Sequence, residues 1–247
     1  EILRRVERYG ISAEYIQTQA EYPTGLVRVS TDEAGEPRYD IREPAAWDVI
    51  QMDKRLEHKA AEARGVVFGS LAQRNDLSRA TIRRLLDCGA PGIFDINLRP
   101  PYDDGDVVRE SLEKAQCAKM NREELDQLCS WFNIGGDARS AMRELSNAFS
   151  CSTVCVTRGR RGAILLHEGD MCDHSGYRVE TQDAVGAGDA FLAGLIAALD
   201  SAENEPQDAL DYACLLGAYV AGCSGATPAI DAEELESLRN GSFRDSG

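Results

Sequence analysis

The sequence predicts an α/β fold in which a mostly parallel sheet is flanked by helices and carries a small β lid. From about residue 60 onward, short apolar or β-branched runs alternate with longer amphipathic segments, a pattern typical of a parallel sheet with crossover helices. Glycines such as Gly89, Gly135 and Gly136 separate these segments. Residues 24–42 differ, because two extended runs there flank a polar turn.

The predicted elements follow one another in order along the chain. An amphipathic helix is expected at residues 1–10, where Ile2, Leu3 and Val6 share one face. Gly159 and Gly162 predict a hairpin-like turn. The predicted strands are Gly65–Phe68, Gly92–Ile96, Ala118–Met120, Thr153–Thr157 and Ala163–Leu166. The predicted helices are Ala45–Arg64, Asn75–Cys88, Asp106–Ala115, Arg122–Phe132, Ala138–Phe149, Gly188–Leu199, Pro206–Cys223 and Ala232–Arg239.

The segment 24–42 is predicted to form a β-hairpin. Its extended runs, at residues 24–29 and 37–41, flank the polar turn at residues 32–35. A hairpin that projects from an α/β body suggests a flap or lid. The alternative is that the hairpin extends the main sheet, and the sequence leaves both readings open.

Composition excludes several classes of protein. With 43% hydrophobic and 28% charged residues, the 247-residue chain is typical of globular proteins. No apolar run approaches the ~20 residues needed to span a bilayer, so no membrane segment is expected. The net charge of −15 opposes binding to nucleic acid or anionic lipid. The first residues contain no signal-peptide pattern and the eight cysteines form no regular framework, which predicts a cytoplasmic protein.

The segment Asp183–Asp189 places a glycine-rich turn and a carboxylate at the start of an apolar helix. The first backbone amides of a helix lack intrahelical partners, so those of Gly186, Ala187 and Gly188 are predicted to hold an anion. Asp189 is placed to accept a proton. The alternative is that Asp189 is only a first-turn acid that interacts favourably with the helix dipole.

Four motifs together resemble those of the ribokinase-like (PfkB) carbohydrate kinases. The segment Asp183–Asp189 fits the D-x-x-G-A-G-D signature, and Asn121–Glu124 fits N-x-x-E. The segment Thr157–Gly159 fits T-x-G, and Asp95–Arg99 fits the D-x-N-x-R stretch of the fructokinase-like branch. Their order and spacing agree with that family over nearly the whole chain.

The resemblance implies an ATP-dependent kinase that phosphorylates a sugar hydroxyl. In that reading Asp189 is the general base, and the Gly186–Gly188 amides stabilise the transferred phosphoryl group. The resemblance also implies that the turn carrying Thr157, Gly159 and Gly162 lies beside the nucleotide, with Arg158 as a further contact. An ordinary hairpin could use the same glycines.

The N-x-x-E motif has two compatible readings. Asn121 and Glu124 could form a capping box at the start of a helix. The resemblance implies instead that Asn121 binds the nucleotide and that Glu124 reaches Mg²⁺ or its waters. It also implies that Asp183 helps to bind a monovalent cation such as K⁺, although Ala184 follows where relatives often carry Thr.

Asn97 and Arg99 are the predicted sugar-binding residues. They follow an apolar run, so they lie at the carboxyl end of a strand, where open α/β sheets bind ligands. Arg99 could otherwise form a surface ion pair with Asp103 or Asp104. The motif favours fructose, a related ketose or a keto-sugar acid, and a nucleoside kinase or a non-catalytic binding protein of the same family are the alternatives.

The resemblance also predicts the organisation of the chain. Residues 1–23 and 43–247 form the α/β kinase domain, in which an N-terminal part is expected to be missing because no strand precedes the first helix. Residues 24–42 form the lid, and lids of this family often pair between subunits, which predicts a homodimer.

Overall fold

The computed structural model describes residues 1–31, 37–201 and 203–241. The chain divides into two compact units. The smaller unit comprises residues 1–92 and 98–107, and the larger unit comprises residues 93–97 and 108–247. The motifs of the Gly-rich turn, the N-x-x-E segment and the T-x-G segment all lie in the larger unit.

The smaller unit combines a hairpin with short helices and one strand. A buried ion pair joins its helical segments, because Arg74 donates to both carboxylate oxygens of Asp48 at 2.8 Å. Its elements are α1 (Ile2–Arg8), β1 (Val27–Thr31), β2 (Pro37–Ile41), α2 (Lys54–Ala61), β3 (Val66–Gly69) and α3 (Asp76–Leu86).

The two extended runs of the segment 24–42 are antiparallel strands. Strands β1 and β2 pair in a two-stranded sheet of their own, with Val27 opposite Ile41. The alternative in which the hairpin extends the main sheet is therefore wrong. The predicted polar turn at residues 32–35 lies outside the described residues, and the role of the hairpin as a lid stays a prediction.

The single helix predicted over Ala45–Arg64 is wrong. Residues Ala46–Val49 form a 3-10 turn, and α2 begins only after Asp53. The Asp53 carboxylate accepts the Leu56 amide at 2.8 Å and so caps a new helix. In the 3-10 turn, the Asp48 carboxylate accepts the Ala45 amide at 2.8 Å while it also binds Arg74. The Asp53 cap and the contact between Asp48 and Arg74 thus divide residues 45–64 into a 3-10 turn and a separate helix.

The larger unit contains most of the main sheet and its flanking helices. Strands β4 to β8 lie side by side in chain order. The elements from β4 onward are β4 (Gly92–Asp95), α4 (Gly105–Leu112), β5 (Ala115–Asn121), α5 (Arg122–Phe132), α6 (Ala138–Phe149), β6 (Thr153–Thr157), β7 (Ala163–His167), β8 (Asp170–His174), α7 (Ala187–Leu199), α8 (Pro206–Ala221) and α9 (Ala232–Arg239).

The sheet of the larger unit is mixed. Strands β5 and β6 are parallel, whereas β6, β7 and β8 are antiparallel neighbours. Strand β8 was not expected from the sequence, because its polar residues show no clear alternation. It follows β7 through Glu168 and Gly169, which both have positive φ, as a two-residue type I′ hairpin turn requires. The predicted α/β fold with flanking helices is confirmed.

Helix α7 is anchored in the core of the larger unit. Its apolar side chains Phe191 and Leu195 are buried in a cluster with Leu165 of β7 and Leu210 of α8. The first turn of α7 therefore has a fixed position relative to the sheet. Among the described helices, none is both long enough and apolar enough to cross a membrane.

Candidate active site

The parallel register of β5 and β6 brings two motifs together. Asn121, the last residue of β5, is the register partner of Thr157, the last residue of β6. The Ile96 amide donates to the Lys119 carbonyl at 3.0 Å, which aligns the end of β4 with the same part of β5. The D-x-N-x-R, N-x-x-E and T-x-G motifs therefore begin at the carboxyl ends of three consecutive strands, where α/β sheets bind ligands.

The glycine-rich turn ends at the N terminus of α7. Gly186 has φ of 84°, and a Cβ built on it would lie 2.2 Å from the Ala226 carbonyl oxygen. No other residue type fits there without moving the backbone. No side chain among the described residues caps this helix. Asp183 accepts the Val185 amide at 2.9 Å, which shapes the turn, and Asp189 is exposed in the first turn of α7.

A cavity of about 340 Å³ brings most of the predicted nucleotide residues together. Its wall includes Thr157, Gly159 and Gly162 from the turn after β6, and Ala187 and Gly188 from the start of α7. Further lining residues are mainly apolar: Tyr177, Val179, Phe191, Cys214, Ala218 and Ala221. The turn after β6 and the N terminus of α7 thus line the same cavity.

Two titratable side chains in the apolar part of this wall are uncharged, and Arg160 also lines the cavity. Burial and a hydrogen bond donated to Asp211 at 2.6 Å raise the pKa of Tyr177 to about 12. Burial likewise raises the pKa of Cys214 to about 12. Both groups are uncharged near neutral pH. Sequence reasoning missed Tyr177, because it lies in an irregular segment after β8 with no motif around it.

The N-x-x-E motif forms a capping box. The Asn121 side chain accepts the Glu124 amide at 2.8 Å, and Glu124 Oε2 accepts the Asn121 amide at 2.7 Å. This predicted alternative is confirmed. Glu124 is buried with 6% of its surface exposed, so the cap fixes the direction of its carboxylate.

The pfkB family carbohydrate kinase model matches residues 1–233 of the 247. The chain belongs to this family. The fold agrees with it: the structure of fructokinase from Vibrio cholerae O395 in fructose, ADP and calcium ion bound form superimposes with a TM-score of 0.79. That alignment covers 96% of this chain and 80% of the other at 22% identity, which shows the fold.

Two curated relatives match over shorter stretches. The 2-dehydro-3-deoxygalactonokinase of Haloferax volcanii is 27% identical over 159 residues, which are 63% of this chain and 49% of that protein. A fructokinase of Escherichia coli is 30% identical over 157 residues, which are 58% of this chain and 49% of that protein. The chain therefore spans about half the length of these two relatives.

Arg158 of the PfkB T-x-G motif is held by protein groups. Its guanidinium donates to Asp173 Oδ1 at 2.7 Å and to the His174 carbonyl at 3.0 Å. Hydrogen bonds from Arg158 lower the pKa of Asp173. The Arg158 side chain thus ties the turn after β6 to the end of β8, and its predicted contact with the nucleotide stays a prediction.

The predicted sugar residues lie in different units. Asn97, in the larger unit, has φ of 44°, a left-handed conformation that Asn tolerates better than most residues. Arg99, in the smaller unit, donates from Nη1 to the Leu98 carbonyl at 2.8 Å. Their roles in sugar binding stay predictions.

The fit of a divalent cation can be judged from the donor set. Within residues 1–31, 37–201 and 203–241, no group of three His, Cys, Asp or Glu side chains could hold a metal. Glu124 already uses one oxygen in the capping box. A site with so few protein ligands suits Mg²⁺, because Mg²⁺ is usually bound together with nucleotide phosphates and keeps several of its waters.

The family resemblance implied that Lys119 is a phosphate contact, like Arg158, but its pairing with Asp95 was not predicted. Lys119 of β5 places Nζ 3.0 Å from Asp95 Oδ1 and 3.2 Å from Asp95 Oδ2. Both side chains are buried, with 9% and 11% of their surfaces exposed. The only signal in the sequence is a lysine between the apolar residues Ala118 and Met120.

Proposed function

We propose that the protein transfers the γ-phosphoryl group of ATP to a sugar hydroxyl. One observation carries the proposal: a single cavity is lined by both the T-x-G turn and the first residues of α7. Helix α7 also presents Asp189 in its first turn. A nucleotide pocket, a set of backbone donors and a carboxylate are the parts that phosphoryl transfer needs.

The donor would lie along the cavity. Its base suits the neutral apolar wall near Tyr177 and Cys214, and its phosphates suit Thr157, Gly159 and the open N terminus of α7. Mg²⁺ on the phosphates would neutralise charge, with Asn121 and Glu124 directed at its waters. The residues of this chain would orient the γ-phosphate toward Asp189.

The transfer itself would need one base. Asp189 would accept the proton of the sugar hydroxyl as that oxygen forms its bond to the γ-phosphorus. The bond from the γ-phosphorus to the bridging oxygen breaks, and ADP leaves with that oxygen. The amides of Gly186, Ala187 and Gly188 would stabilise the transferred group. The Ala187 amide already donates weakly to the Ala184 carbonyl at 3.3 Å, so this contact would have to yield.

For the acceptor, we propose fructose, a related ketose or a keto-sugar acid. The D-x-N-x-R motif with Asn97 and Arg99 supports this class. Similarity to a fructokinase and to a 2-dehydro-3-deoxygalactonokinase also supports it. A nucleoside acceptor remains the second candidate of the same family.

The test is an assay of ADP release with ATP, Mg²⁺ and a panel of acceptors. Fructose, other ketoses, 2-dehydro-3-deoxy sugar acids and nucleosides form the panel. Turnover with at least one sugar is expected. Turnover with nucleosides alone would replace the sugar assignment, and ATP binding without any turnover would identify a non-catalytic member.

The role of Asp189 is tested by Asp189→Asn beside Asp208→Asn. Both aspartates are exposed in the first turns of neighbouring helices, α7 and α8. Loss of the base should lower kcat by about 10²–10⁴-fold and leave ATP affinity nearly unchanged. Asp208→Asn should keep full activity. Equal activity of the two variants would contradict the role of Asp189 as base.

Two further proposals concern the lid and the monovalent cation. The hairpin β1–β2 would close over the acceptor and pair with its copy in a homodimer. Sedimentation of the chain with and without residues 24–42 tests this, since only the intact chain should dimerise. Asp183 would help to hold K⁺, so replacing K⁺ by choline in the assay should lower activity.

A further inference from the structure

A second concave site in the larger unit is lined by a cluster of arginines. It is a groove of about 720 Å³, which is within the range of ~300–1,000 Å³ usual for small-molecule sites. We call it the arginine groove. Its five arginines come from α5, α6 and the turn after β6: Arg122, Arg139, Arg158, Arg160 and Arg161.

Two aspartates also line the groove, and both already have partners. Asp173 pairs with Arg158 at 2.7 Å and with Arg139 at 2.6 Å. The hydrogen bond from Arg158, and then the charge of Arg139, hold the pKa of Asp173 below its ordinary value of 3.8. Asp137 accepts the Ser140 amide at 2.8 Å as the cap of α6. One carboxylate therefore serves two arginines, and the other serves a helix end.

The remaining arginines of the turn are not neutralised by the protein. Within residues 1–31, 37–201 and 203–241, neither Arg160 nor Arg161 has an ion pair, and both are exposed. Arg158 Nε is buried and has no hydrogen-bond partner in the same ranges. The groove thus keeps an excess of positive charge, although the chain as a whole carries a net charge of −15.

The other two arginines lie where the backbone disfavours a cation. Arg122 and Arg139 are in the first turns of α5 and α6, the ends of those helices that carry partial positive charge. Arg122 pairs with Asp126 at 3.0 Å, but a partly exposed pair of this kind contributes little stability. Fold stability therefore does not account for the cluster. An anion in the groove would interact favourably with every member of it.

The charge of the groove favours a compact ligand with phosphate groups. The net charge of the chain repels long polyanions such as nucleic acid, whereas a small ligand interacts mainly with the nearby arginines. A phosphate group carries about −1.5 to −2 near neutral pH, so two of them balance the excess of arginines over aspartates. Guanidinium groups also bind phosphate oxygens through paired hydrogen bonds.

The arginine groove adjoins the cavity that contains the T-x-G turn and the start of α7. Arg158 and Arg161 line the groove alone, whereas Arg160 lines both the groove and the cavity. An anion in the groove would attract the Arg160 guanidinium and place negative charge next to the cavity. Both changes disfavour the phosphates of a nucleotide there.

We propose that the arginine groove binds a small organic molecule with two phosphate groups, and that this ligand weakens nucleotide binding in the neighbouring cavity. The ligand is an inhibitory effector and is not chemically changed. Binding to the groove is independent of the acceptor and of phosphoryl transfer. Only the coupling between the two sites rests on the proposed function, in which the cavity holds ATP.

A calorimetric titration with 2,3-bisphosphoglycerate tests the site directly, at constant free Mg²⁺. One molecule should bind to each chain. Glycerol 3-phosphate, which has one phosphate group, should bind about tenfold more weakly or worse, because it loses the charge-assisted hydrogen bonds of the second group. Citrate, which offers carboxylates instead, should also bind more weakly. Tighter binding of citrate would overturn the assignment of a phosphate ligand.

The variant Arg161→Glu tests the location of the site, with Arg143→Glu as its control. Arg161 lines the groove and not the cavity, and Arg143 is exposed on α6 and lines neither. Both variants change the net charge equally. Arg161→Glu should lose about tenfold or more in affinity for 2,3-bisphosphoglycerate. Arg143→Glu should lose much less, because its charge acts only through a screened field. Circular dichroism and thermal melts show that both are folded.

The coupling is measured as the Kd of a non-hydrolysable ATP analogue at increasing concentrations of 2,3-bisphosphoglycerate. In wild type the apparent Kd should rise by about fivefold or more and then reach a plateau, because both ligands can be bound at once. Arg161→Glu should need a much higher probe concentration for the same rise. An apparent Kd that rises without limit would mean that the probe competes for the cavity itself, and would overturn the proposal.

The remaining outcomes keep this proposal apart from the proposed function. If wild type does not bind the ATP analogue, the proposed function fails, and the titration with 2,3-bisphosphoglycerate still tests the groove. Absence of probe binding, or equal affinity in wild type and Arg161→Glu, overturns the groove and leaves the kinase assignment intact. Sedimentation covers the last case. Self-association that Arg161→Glu abolishes would make the groove a contact between copies and would overturn the effector site.

Discussion

Helices α5 and α7 begin in opposite ways, although both follow motifs of the same family. The N terminus of α5 is closed, because Asn121 and Glu124 satisfy each other's backbone amides at 2.8 Å and 2.7 Å. The N terminus of α7 is open, because no side chain among the described residues caps it. The backbone polarity of the two helices is the same, so side chains decide which end can accept a ligand.

Glycine is what keeps the α7 end open. Gly186 turns the chain with positive φ where the Ala226 carbonyl oxygen leaves no room for a side chain. Helix α8 also begins without a side-chain cap, but Pro206 in its first turn has no amide hydrogen to offer. Of these three helices, α7 is the one suited to hold an anion through its backbone.

The largest expected effect comes from Gly186→Ala, which adds a side chain to the turn at the N terminus of α7. A left-handed residue with a Cβ costs about 1–2 kcal/mol, and the contact with Ala226 adds to this cost. We expect a loss of about 2–4 kcal/mol in the free energy of unfolding. Affinity for ATP should fall with it, because the turn must move. Urea denaturation and calorimetric titration of ATP measure the two effects.

Gly159→Ala is the matched control. Gly159 also has positive φ, 59°, but no atom lies within 4 Å of a Cβ built on it. It should lose only the conformational part, about 1–2 kcal/mol. If both variants lose the same stability, the close approach of Gly186 to Ala226 does not shape the open end.

A smaller effect is expected from opening the closed end with Asn121→Ala. Loss of the cap should lower the free energy of unfolding by about 0.5–2 kcal/mol. Asn75→Ala is its control, because Asn75 caps α3 through the Leu77 amide at 3.0 Å without a reciprocal partner. A loss of ATP affinity in Asn121→Ala, absent from Asn75→Ala, would support the predicted contact of Asn121 with the nucleotide. Unchanged ATP affinity would show that Asn121 acts only as a helix cap.

Much of the site could be predicted from the sequence, because its parts are local. Each motif is a short segment at the end of a strand or the start of a helix, and parallel strands bring such ends together. Thr157, Gly159, Gly162, Ala187 and Gly188 do line one cavity. The capping box was visible for the same reason, since its partners are three residues apart.

The features that were missed depend on distant partners. Lys119 and Asp95 are 24 residues apart, and only the register of β4 and β5 joins them. Asp48 and Arg74 are 26 residues apart, and their pairing helps to end the helix predicted over residues 45–64. Strand β8 has weak apolar alternation, so its pairing with β7 rather than its sequence defines it. Local patterns carry no information about such contacts.

The smallest expected effect concerns a third helix end, at α6. Asp137 accepts the Ser140 amide at 2.8 Å, and this hydrogen bond lowers the pKa of Asp137 below its ordinary value of 3.8. Because the folded-state pKa is lowered, the charged form contributes stability that is fully present above the ordinary value. That stability is lost as the pH falls through the folded value.

Asp137→Asn keeps a capping oxygen without the charge, so it should be slightly less stable than wild type near neutral pH. The difference should shrink once the pH falls well below the ordinary value, which urea midpoints at neutral and acid pH can measure. A difference that persists in acid would show that this closed end depends on hydrogen-bond geometry alone, and that negative charge has no part in the contrast with α7.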